Sequence, residues 1–384
     1  GIKAYVFDAL RPTPELSYAV RKLGCIAGIN ITASHNPPEY NGYKVYWEDG
    51  AQITPPHDKG IMDEVKAVTD YNTVKTMGLE EANAAGMYEV IGGAVDDGYI
   101  AELKKQVIHQ DSIDAVGREL KIVYSPLHGT GNIPARRILK ELGFENVYVV
   151  KEQELPDGEF PTVSYPNPEA KEAFELGLKL AKEVDADLVL ATDPDADRLG
   201  VYVKDAKSGE YKVLTGNMSG CLLADYEIGQ RKALKGLPED GYLIKTIVTS
   251  NLADAIARGY GIGLIEVLTG FKFIGQQILG FETTGKGSYL FGFEERYGCL
   301  IGTHARDKDA IVATMALCEA AAYYKTQGKT LWDAMVDMYD KYGYYKDDIQ
   351  SITLKGIEGL QKIQEILETL RRTPPSEVGG YQVV

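Results

Sequence analysis

The sequence has little positive charge, few cysteines and no long apolar run. Its 41 lysines and arginines stand against 56 aspartates and glutamates, a net charge of −15 over 384 residues. A surface of this sign repels nucleic acid and anionic lipid, so neither DNA, RNA nor a membrane is an expected partner. No apolar stretch approaches the roughly 18 residues that cross a bilayer. With 44% hydrophobic and 25% charged residues, the composition predicts a folded cytoplasmic protein.

The few cysteines do not form a recognisable site. Cys25, Cys221, Cys299 and Cys318 are spaced without a CxxC pair or a zinc-ligand pattern. We therefore expect free, buried thiols in a reducing compartment.

Apolar, strand-like runs alternate with helical stretches along most of the chain. The predicted strands are Cys25–Ile31, Leu120–Tyr124, Val147–Val150, Asp187–Thr192, Tyr242–Val248 and Gly263–Val267. The predicted helices lie at about 14–23, 133–142, 169–183, 251–259, 309–325, 330–342 and 356–371. This alternation predicts α/β units with mainly parallel sheets.

Three aspartates follow one of these strands at alternate positions. The segment Asp193-Pro-Asp-Ala-Asp-Arg198 comes directly after Asp187–Thr192, at the carboxyl edge where open α/β sheets bind ligands. Alternate residues of an extended chain point the same way, so Asp193, Asp195 and Asp197 would converge and repel one another unless a cation lies between them. Carboxylate oxygens suit Mg²⁺ or Ca²⁺. The alternative is an acidic turn in solvent.

A polar loop, Thr32-Ala-Ser-His-Asn-Pro-Pro-Glu-Tyr-Asn-Gly-Tyr-Lys44, follows the strand Cys25–Ile31. Ser34 is a candidate nucleophile. The side chains able to surround an anion beside it are His35, Asn36 and Lys44. Adjacent Ser and His side chains point in opposite directions in an extended chain, which argues against a serine triad. A polar turn ended by prolines is the alternative.

A third segment, Gly292-Phe-Glu-Glu-Arg-Tyr-Gly298, follows the predicted strand Ser288–Phe291. Its adjacent acids, Glu294 and Glu295, could bind sugar hydroxyls or face water. Basic groups occur nearby in sequence, in Thr269–Gly275 and His304–Asp309. Each of these segments is a weak signal by itself.

Together the segments resemble the α-D-phosphohexomutase superfamily, and within it the bacterial phosphoglucomutases. The resemblance rests on the serine loop from Thr32, the aspartate loop from Asp193 and the Gly292-Phe-Glu-Glu295 loop, and it extends to Thr269-Gly-Phe-Lys272 and Arg306-Asp-Lys-Asp309. The motifs occur in the family's order and cover most of the chain. The first two together are highly specific.

The resemblance implies a fold of class α/β, with three related mixed α/β domains, domain 1 incomplete, plus the start of a fourth α+β domain. The implied domains are the C-terminal part of domain 1 with the phosphoserine loop (1–85), domain 2 with the metal loop (86–210), domain 3 with the sugar-binding loop (211–340) and the start of a truncated domain 4 (341–384). The family's N-terminal loop and its C-terminal phosphate-binding loop would lie outside the chain, so we expect a fragment with weak or no mutase activity.

The resemblance also implies roles for individual residues. Ser34 would be a phosphoserine, whose phosphate binds Mg²⁺ together with Asp193, Asp195 and Asp197. Lys308 would be the general acid/base, with His128 as the alternate. The implied substrate-binding residues are His35, Asn36, Lys44, Arg198, Thr269, Gly270, Glu294, Glu295 and Arg296.

The implied reaction interconverts glucose 1-phosphate and glucose 6-phosphate, with glucose 1,6-bisphosphate as activator and intermediate. The implied partner is a small-molecule sugar phosphate, which a local basic pocket can bind within an acidic surface, and a monomer is favoured. Arg296 stands where the family's sugar loop commonly has Ser, so mannose and pentose phosphates stay open after glucose. The alternative from another class is a non-catalytic, sugar-phosphate-binding relative.

Overall fold

The computed structural model describes residues 1–348, 354 and 356–383. The chain divides into two compact units, Gly1–Tyr345 and Lys346–Val384. Among the helices in the described ranges, none is both long enough and apolar enough to span a membrane.

The first part of the larger unit contains two small sheets. Its elements are β1 (Ala4–Phe7), α1 (Thr13–Lys22), β2 (Ala27–Ile31), β3 (Tyr43–Trp47), α2 (His57–Ala67), a 3₁₀ turn (Tyr71–Thr73), α3 (Leu79–Ala84) and β4 (Tyr88–Ile91). Strand β1 pairs in parallel with β4, and β2 pairs antiparallel with β3. The helix predicted at 14–23 and the strand predicted at Cys25–Ile31 are confirmed within two residues.

The expectation that this strand is buried is wrong. Ile29 and Ile31 are 61% and 68% exposed. Because side chains alternate along a strand, Gly28 and Asn30 face α1 while the isoleucines point away from it. The apolar composition of the run predicted burial, but in the described structure β2 pairs with β3 alone and packs on one face.

The second part builds a five-stranded sheet in the order β6-β5-β7-β8-β9. Its elements are α4 (Gly93–Lys104), α5 (Gln110–Val116), β5 (Ile122–Ser125), α6 (Asn132–Leu142), β6 (Val147–Val149), 3₁₀ turns (Lys151–Gln153, Lys171–Phe174), α7 (Glu175–Val184), β7 (Leu188–Thr192), β8 (Leu199–Lys204) and β9 (Tyr211–Leu214). Strands β5 and β7 are buried along their whole length, as near-continuous apolar runs predict.

The third part builds a four-stranded sheet in the order β11-β10-β12-β13. Its elements are α8 (Gly216–Lys235), β10 (Gly241–Thr246), α9 (Leu252–Tyr260), β11 (Gly263–Val267), α10 (Phe271–Thr284), β12 (Ser288–Glu294), β13 (Gly298–Leu300), α11 (Ala310–Thr326) and α12 (Leu331–Tyr342). Strand β12 is longer than the predicted Ser288–Phe291 and includes Glu294.

The smaller unit contains α13 (Gly356–Arg372) and a hairpin of β14 (Glu377–Val378) and β15 (Tyr381–Gln382). Gly379 and Gly380, with φ of 59° and 87°, form the two-residue turn that joins the strands. Positive φ at both turn positions favours glycine in such hairpins.

The sheets are mixed, so the prediction of mainly parallel sheets is wrong. Antiparallel partners follow both acidic motifs. The Asp193–Arg198 loop joins β7 to its antiparallel neighbour β8, and Glu295–Tyr297 joins β12 to its antiparallel neighbour β13. Six and three residues are too few for the crossover that a parallel neighbour requires, usually a dozen or more.

Helix α11 is buried on all sides. Every residue from Ala310 to Ala322 is buried, in agreement with its nearly uniform apolar sequence. Asp309 caps the helix, because its Oδ1 accepts the N–H of Ile311 and Val312 at 2.9 and 3.0 Å. The cap fixes the backbone directly after Lys308.

The loop after β5 contacts the loop after β7 through backbone. The N–H and the hydroxyl of Thr130 both donate to the carbonyl of Pro194, at 2.8 and 3.0 Å. A Cβ at Gly129 would lie 2.3 Å from Pro194 Cα. This close approach therefore requires glycine at position 129.

We expect Gly129→Ala to lower the free energy of unfolding by about 1–3 kcal/mol, because neither backbone can yield without strain. Gly158→Ala is the matched control, since nothing lies within 4 Å of a Cβ built there, and its stability should stay within about 0.5 kcal/mol of the parent. Urea unfolding measures both. Equal stability of the two variants would contradict the close approach.

Candidate active site

Four segments of the larger unit bring the predicted motifs together. They are the Ser34 loop between β2 and β3, the Asp193–Arg198 loop, the Glu295–Tyr297 turn and residues 304–309 before α11. The Ser34 hydroxyl lies 3.3 Å from Asp195 Oδ1 and 3.5 Å from Asp193 Oδ2. One carboxylate oxygen from each of the three aspartates lies within 4.8 Å of the others.

Ser34 has a left-handed backbone, with φ of 54°. Its N–H donates to Thr32 Oγ1 at 2.8 Å, and its hydroxyl lies 3.2 Å from His35 Nδ1. The expectation that Ser34 and His35 point in opposite directions is therefore wrong, because it assumed an extended chain. Non-glycine residues in this region cost about 1–3 kcal/mol and cluster at functional sites.

His35 is neutral at physiological pH. Burial, with a further contribution from Arg198, lowers the pKa of its imidazole to about 4. Its ring lies edge-on to Tyr165 at 5.8 Å. The ring nitrogen beside Ser34 therefore adds a hydrogen-bonding group without adding a positive charge.

The aspartate loop is a tight turn around Asp193. Asp193 Oδ1 accepts the N–H of Asp197 at 3.0 Å and of Arg198 at 2.9 Å, and Ala196 has a φ of 52°. Burial, followed by the charges of Asp197 and Asp195, raises the pKa of Asp193 well above its usual value. Convergence of the three carboxylates thus comes from a turn rather than from the extended chain that we expected.

Two lysines approach this cluster from different elements. Lys44 Nζ, on β3, lies 2.9 Å from Asp195 Oδ2 and 3.1 Å from Asp197 Oδ2, and Lys308 Nζ lies 3.0 Å from Asp197 Oδ2. Burial alone would raise the pKa of Asp197, but Lys308, Lys44 and Arg198 outweigh it and lower that pKa. Asp197 is therefore a carboxylate.

The residues of the cluster fit a divalent cation. Asp197 Oδ1 is buried and accepts no hydrogen bond in the described structure, so one oxygen is free for a metal. Carboxylate oxygens are the ligands that Mg²⁺ and Ca²⁺ prefer. An unpartnered buried carboxylate oxygen is costly, and a bound cation would remove that cost.

Glu294 lies close to this cluster, while Glu295 is bound elsewhere. Glu294 Oε1 lies 3.8 Å from Lys308 Nζ, and burial raises the pKa of its carboxyl. Glu295 Oε2 accepts hydrogen bonds from the hydroxyls of Thr246 and Thr249, at 3.1 and 3.5 Å. Arg296 is half exposed, with Nε 3.8 Å from Glu295 Oε1.

Four predicted site residues make no hydrogen bond or ion pair with the aspartates in the part of the chain that the structure describes. They are Asn36, His128, Thr269 and Gly270. Asn36 and Thr269 are exposed, and Gly270 lies directly before α10. His128 Nε2 bonds Thr162 Oγ1 at 2.8 Å, although His128 and Asp195 line the same cavity of about 570 Å³.

Thr13 and Asn30 are site residues that the sequence analysis missed. The hydroxyl of Thr13, the first residue of α1, donates to Asp195 Oδ2 at 3.0 Å and accepts from Asn30 Nδ2 at 2.6 Å. Their positions gave one usable signal, a threonine at a helix start and an asparagine on the strand leading to Ser34. Neither position reveals a partner 182 residues away.

Comparison with known proteins agrees with this geometry. Descriptions of phosphoglucomutase/phosphomannomutase alpha/beta/alpha domains I, II and III match residues 1–72, 97–209 and 215–342. A solved structure from Thermus thermophilus, assigned as a phosphomannomutase, has a TM-score of 0.71 and 25% identity and covers 89% of this chain and 69% of its own.

Relatives of known activity extend along the whole chain. A phosphoglucomutase of Staphylococcus aureus (strain N315) is 37% identical over 389 residues, covering 100% of this chain and 67% of the relative. A phosphoglucomutase of Staphylococcus epidermidis (strain ATCC 12228 / FDA PCI 1200) is 36% identical over 384 residues, covering 100% and 68%. The chain thus spans about two thirds of these relatives. Since domains I, II and III match in that order, the chain belongs to the phosphoglucomutase/phosphomannomutase family.

Proposed function

We propose that the protein is a phosphoglucomutase that interconverts glucose 1-phosphate and glucose 6-phosphate through a phosphorylated Ser34. The observation that carries the proposal is the Ser34 hydroxyl 3.3 Å from Asp195 and 3.5 Å from Asp193, with Lys308 bound to Asp197 at 3.0 Å. A nucleophile oxygen, a set of cation ligands and a proton-carrying group thus share one site. Glucose comes first among the sugars because the 37% identical relative is a phosphoglucomutase.

The reaction requires two phosphoryl transfers at the same serine. In the first, the bond between phosphorus and Ser34 Oγ breaks as a sugar hydroxyl attacks, which gives glucose 1,6-bisphosphate and a free serine. In the second, Ser34 Oγ takes the other phosphoryl group from that bisphosphate. Asp193, Asp195 and Asp197 would hold the Mg²⁺, which when bound stabilises negative charge on the transferring group.

A general acid/base must move the proton between the sugar hydroxyl and Ser34. Lys308 is the first candidate. Burial alone would lower the pKa of its ammonium, but Asp197, Asp307 and Glu294 outweigh it and raise that pKa. Lys308 therefore holds a proton at neutral pH and enters the cycle as the acid. His128 is the alternate, with its Nε2 bound to Thr162.

Substrate binding divides between residues near the aspartates and residues farther away. Glu294 is buried beside Lys308, where a sugar hydroxyl could replace solvent, and Lys44 and Arg198 supply positive charge for a phosphate. The remaining proposed contacts are His35, Asn36, Thr269, Gly270, Glu295 and Arg296. Because Arg296 is half exposed it is free to reach a substrate phosphate, which keeps phosphomannomutase and phosphopentomutase activity as the second candidates.

Phosphoryl transfer to Ser34 is directly measurable. After incubation with glucose 1,6-bisphosphate and Mg²⁺, the protein should gain one phosphoryl group by intact-mass spectrometry. Ser34→Ala should gain none, because the accepting oxygen is gone, and chelating the Mg²⁺ should slow the gain in the parent.

Ser164→Ala is the control for this experiment. The Ser164 hydroxyl bonds Glu172 at 2.8 Å, outside the site, and its loss should leave the phosphoryl gain unchanged. A phosphoryl group on Ser34→Ala equal to that on the parent would refute the phosphoserine mechanism. A parent that stays unphosphorylated would favour the non-catalytic, sugar-phosphate-binding relative.

Lys308→Met should lower the kcat of the full-length protein on glucose 1-phosphate by at least about 100-fold, the lower limit of general acid/base help. Lys325→Met is the matched control: its ammonium pairs with Asp187 at 3.0 Å, away from the site, and kcat should stay within about twofold of the parent. Near-normal turnover in Lys308→Met would move the acid/base role to His128.

A further inference from the structure

Thr13 is buried at the start of α1, yet its hydroxyl does not serve that helix. Threonine near a helix start ordinarily caps a free backbone N–H of its own helix. Helix α1 has no side-chain cap. The Thr13 hydroxyl instead lies 3.0 Å from Asp195 Oδ2, so its hydrogen bond belongs to the aspartate loop.

The directions of the hydrogen bonds around Thr13 are fixed. An ionised carboxylate only accepts hydrogen bonds, and a hydroxyl has a single proton. The Thr13 proton must therefore go to Asp195, and Thr13 Oγ1 must accept from the amide of Asn30, 2.6 Å away. The chain from Asn30 through Thr13 to Asp195 has one arrangement, which orients the hydroxyl.

Thr13 holds Asp195 at two points. Besides the hydroxyl contact, the Thr13 backbone N–H donates to the Asp195 carbonyl oxygen at 2.9 Å. With Oδ2 held by Thr13 and Lys44, the other oxygen, Oδ1, is the one that faces Ser34 at 3.3 Å. The rotation of the Asp195 carboxylate is thus set from behind.

The same chain of hydrogen bonds connects the aspartate loop to the serine loop. Asn30 lies on β2, four residues before Ser34, and its side chain faces α1. A shift of β2 would therefore be felt at Asp195 through Thr13. Ser34 and Asp195 are separated by 161 residues, and this contact adds a second link between them.

We propose that Thr13, supported by Asn30, is a positioning residue that orients Asp195 for the cation, an inference that rests on the proposed function. Thr13 itself touches neither the phosphoryl group nor the sugar in this scheme. Its effect is to present Asp195 Oδ1 toward Ser34, so its loss should weaken Mg²⁺ binding before it affects anything else.

The test is Mg²⁺ affinity, measured by isothermal titration of the 384-residue chain and its variants. Thr13→Val keeps the shape and removes the hydroxyl, and it should weaken Mg²⁺ binding by about 10-fold or more, because partners of metal ligands typically contribute 10–100-fold. Thr13→Ser should restore affinity to within about threefold. Asn30→Ala, at a half-buried site, should weaken binding in the same direction.

Thr314→Val is the matched control. Thr314 is equally buried, and its hydroxyl bonds only the Ala310 carbonyl of its own helix, at 2.7 Å. It should lose comparable thermal stability and keep parental Mg²⁺ affinity. If Thr13→Val fails to fold, Asn30→Ala carries the test alone.

The outcomes separate the two proposals. Parental affinity in Thr13→Val and Asn30→Ala, with a parent that binds Mg²⁺, would overturn the positioning role and leave the proposed function intact. Weakening that Thr13→Ser fails to rescue would also overturn it, since a serine hydroxyl can make the same bond. A parent that binds no Mg²⁺ would overturn the proposed metal site and this inference together.

Discussion

Repulsion among three buried carboxylates is the constraint on which the arrangement of the site depends. Two unit charges 4 Å apart interact by about 4 kcal/mol at an effective dielectric of about 20, so three unscreened aspartates would offset much of the 5–15 kcal/mol that holds a typical domain folded. The structure answers with Lys44 from β3, Lys308 before α11 and Arg198 within the loop. Because these cations come from distant parts of the chain, neutralising the aspartates also joins those parts.

Much of the fold and the centre of the site could be predicted from the sequence. Apolar runs such as Asp187–Thr192 and Gly263–Val267 became strands, and the helix predicted at 330–342 lies at Leu331–Tyr342. Ser34 and the aspartates were identified because their residue types and spacing are specific. Local composition suffices for such features, since each depends on neighbours within a few residues.

Features that depend on distant partners were not predictable in the same way. The sequence of β2 does not show that Ile29 and Ile31 face outward, because exposure depends on which strands pair beside it. The length of each loop did indicate antiparallel neighbours, but the α/β rhythm was given more weight. Thr13 and Asn30 were missed because each makes its decisive contact across a fold that the sequence alone does not specify.

The two acidic turns, six residues between β7 and β8 and three between β12 and β13, limit how such a site can change over evolution. A strand on either side fixes the ends of each turn, and a shift of one residue sends every side chain of a strand to the opposite face. Insertions and deletions there would therefore disrupt the sheet as well as the turn. New substrate preferences are left to arise by replacement of single side chains in place, and the arginine at position 296 is a replacement of that kind.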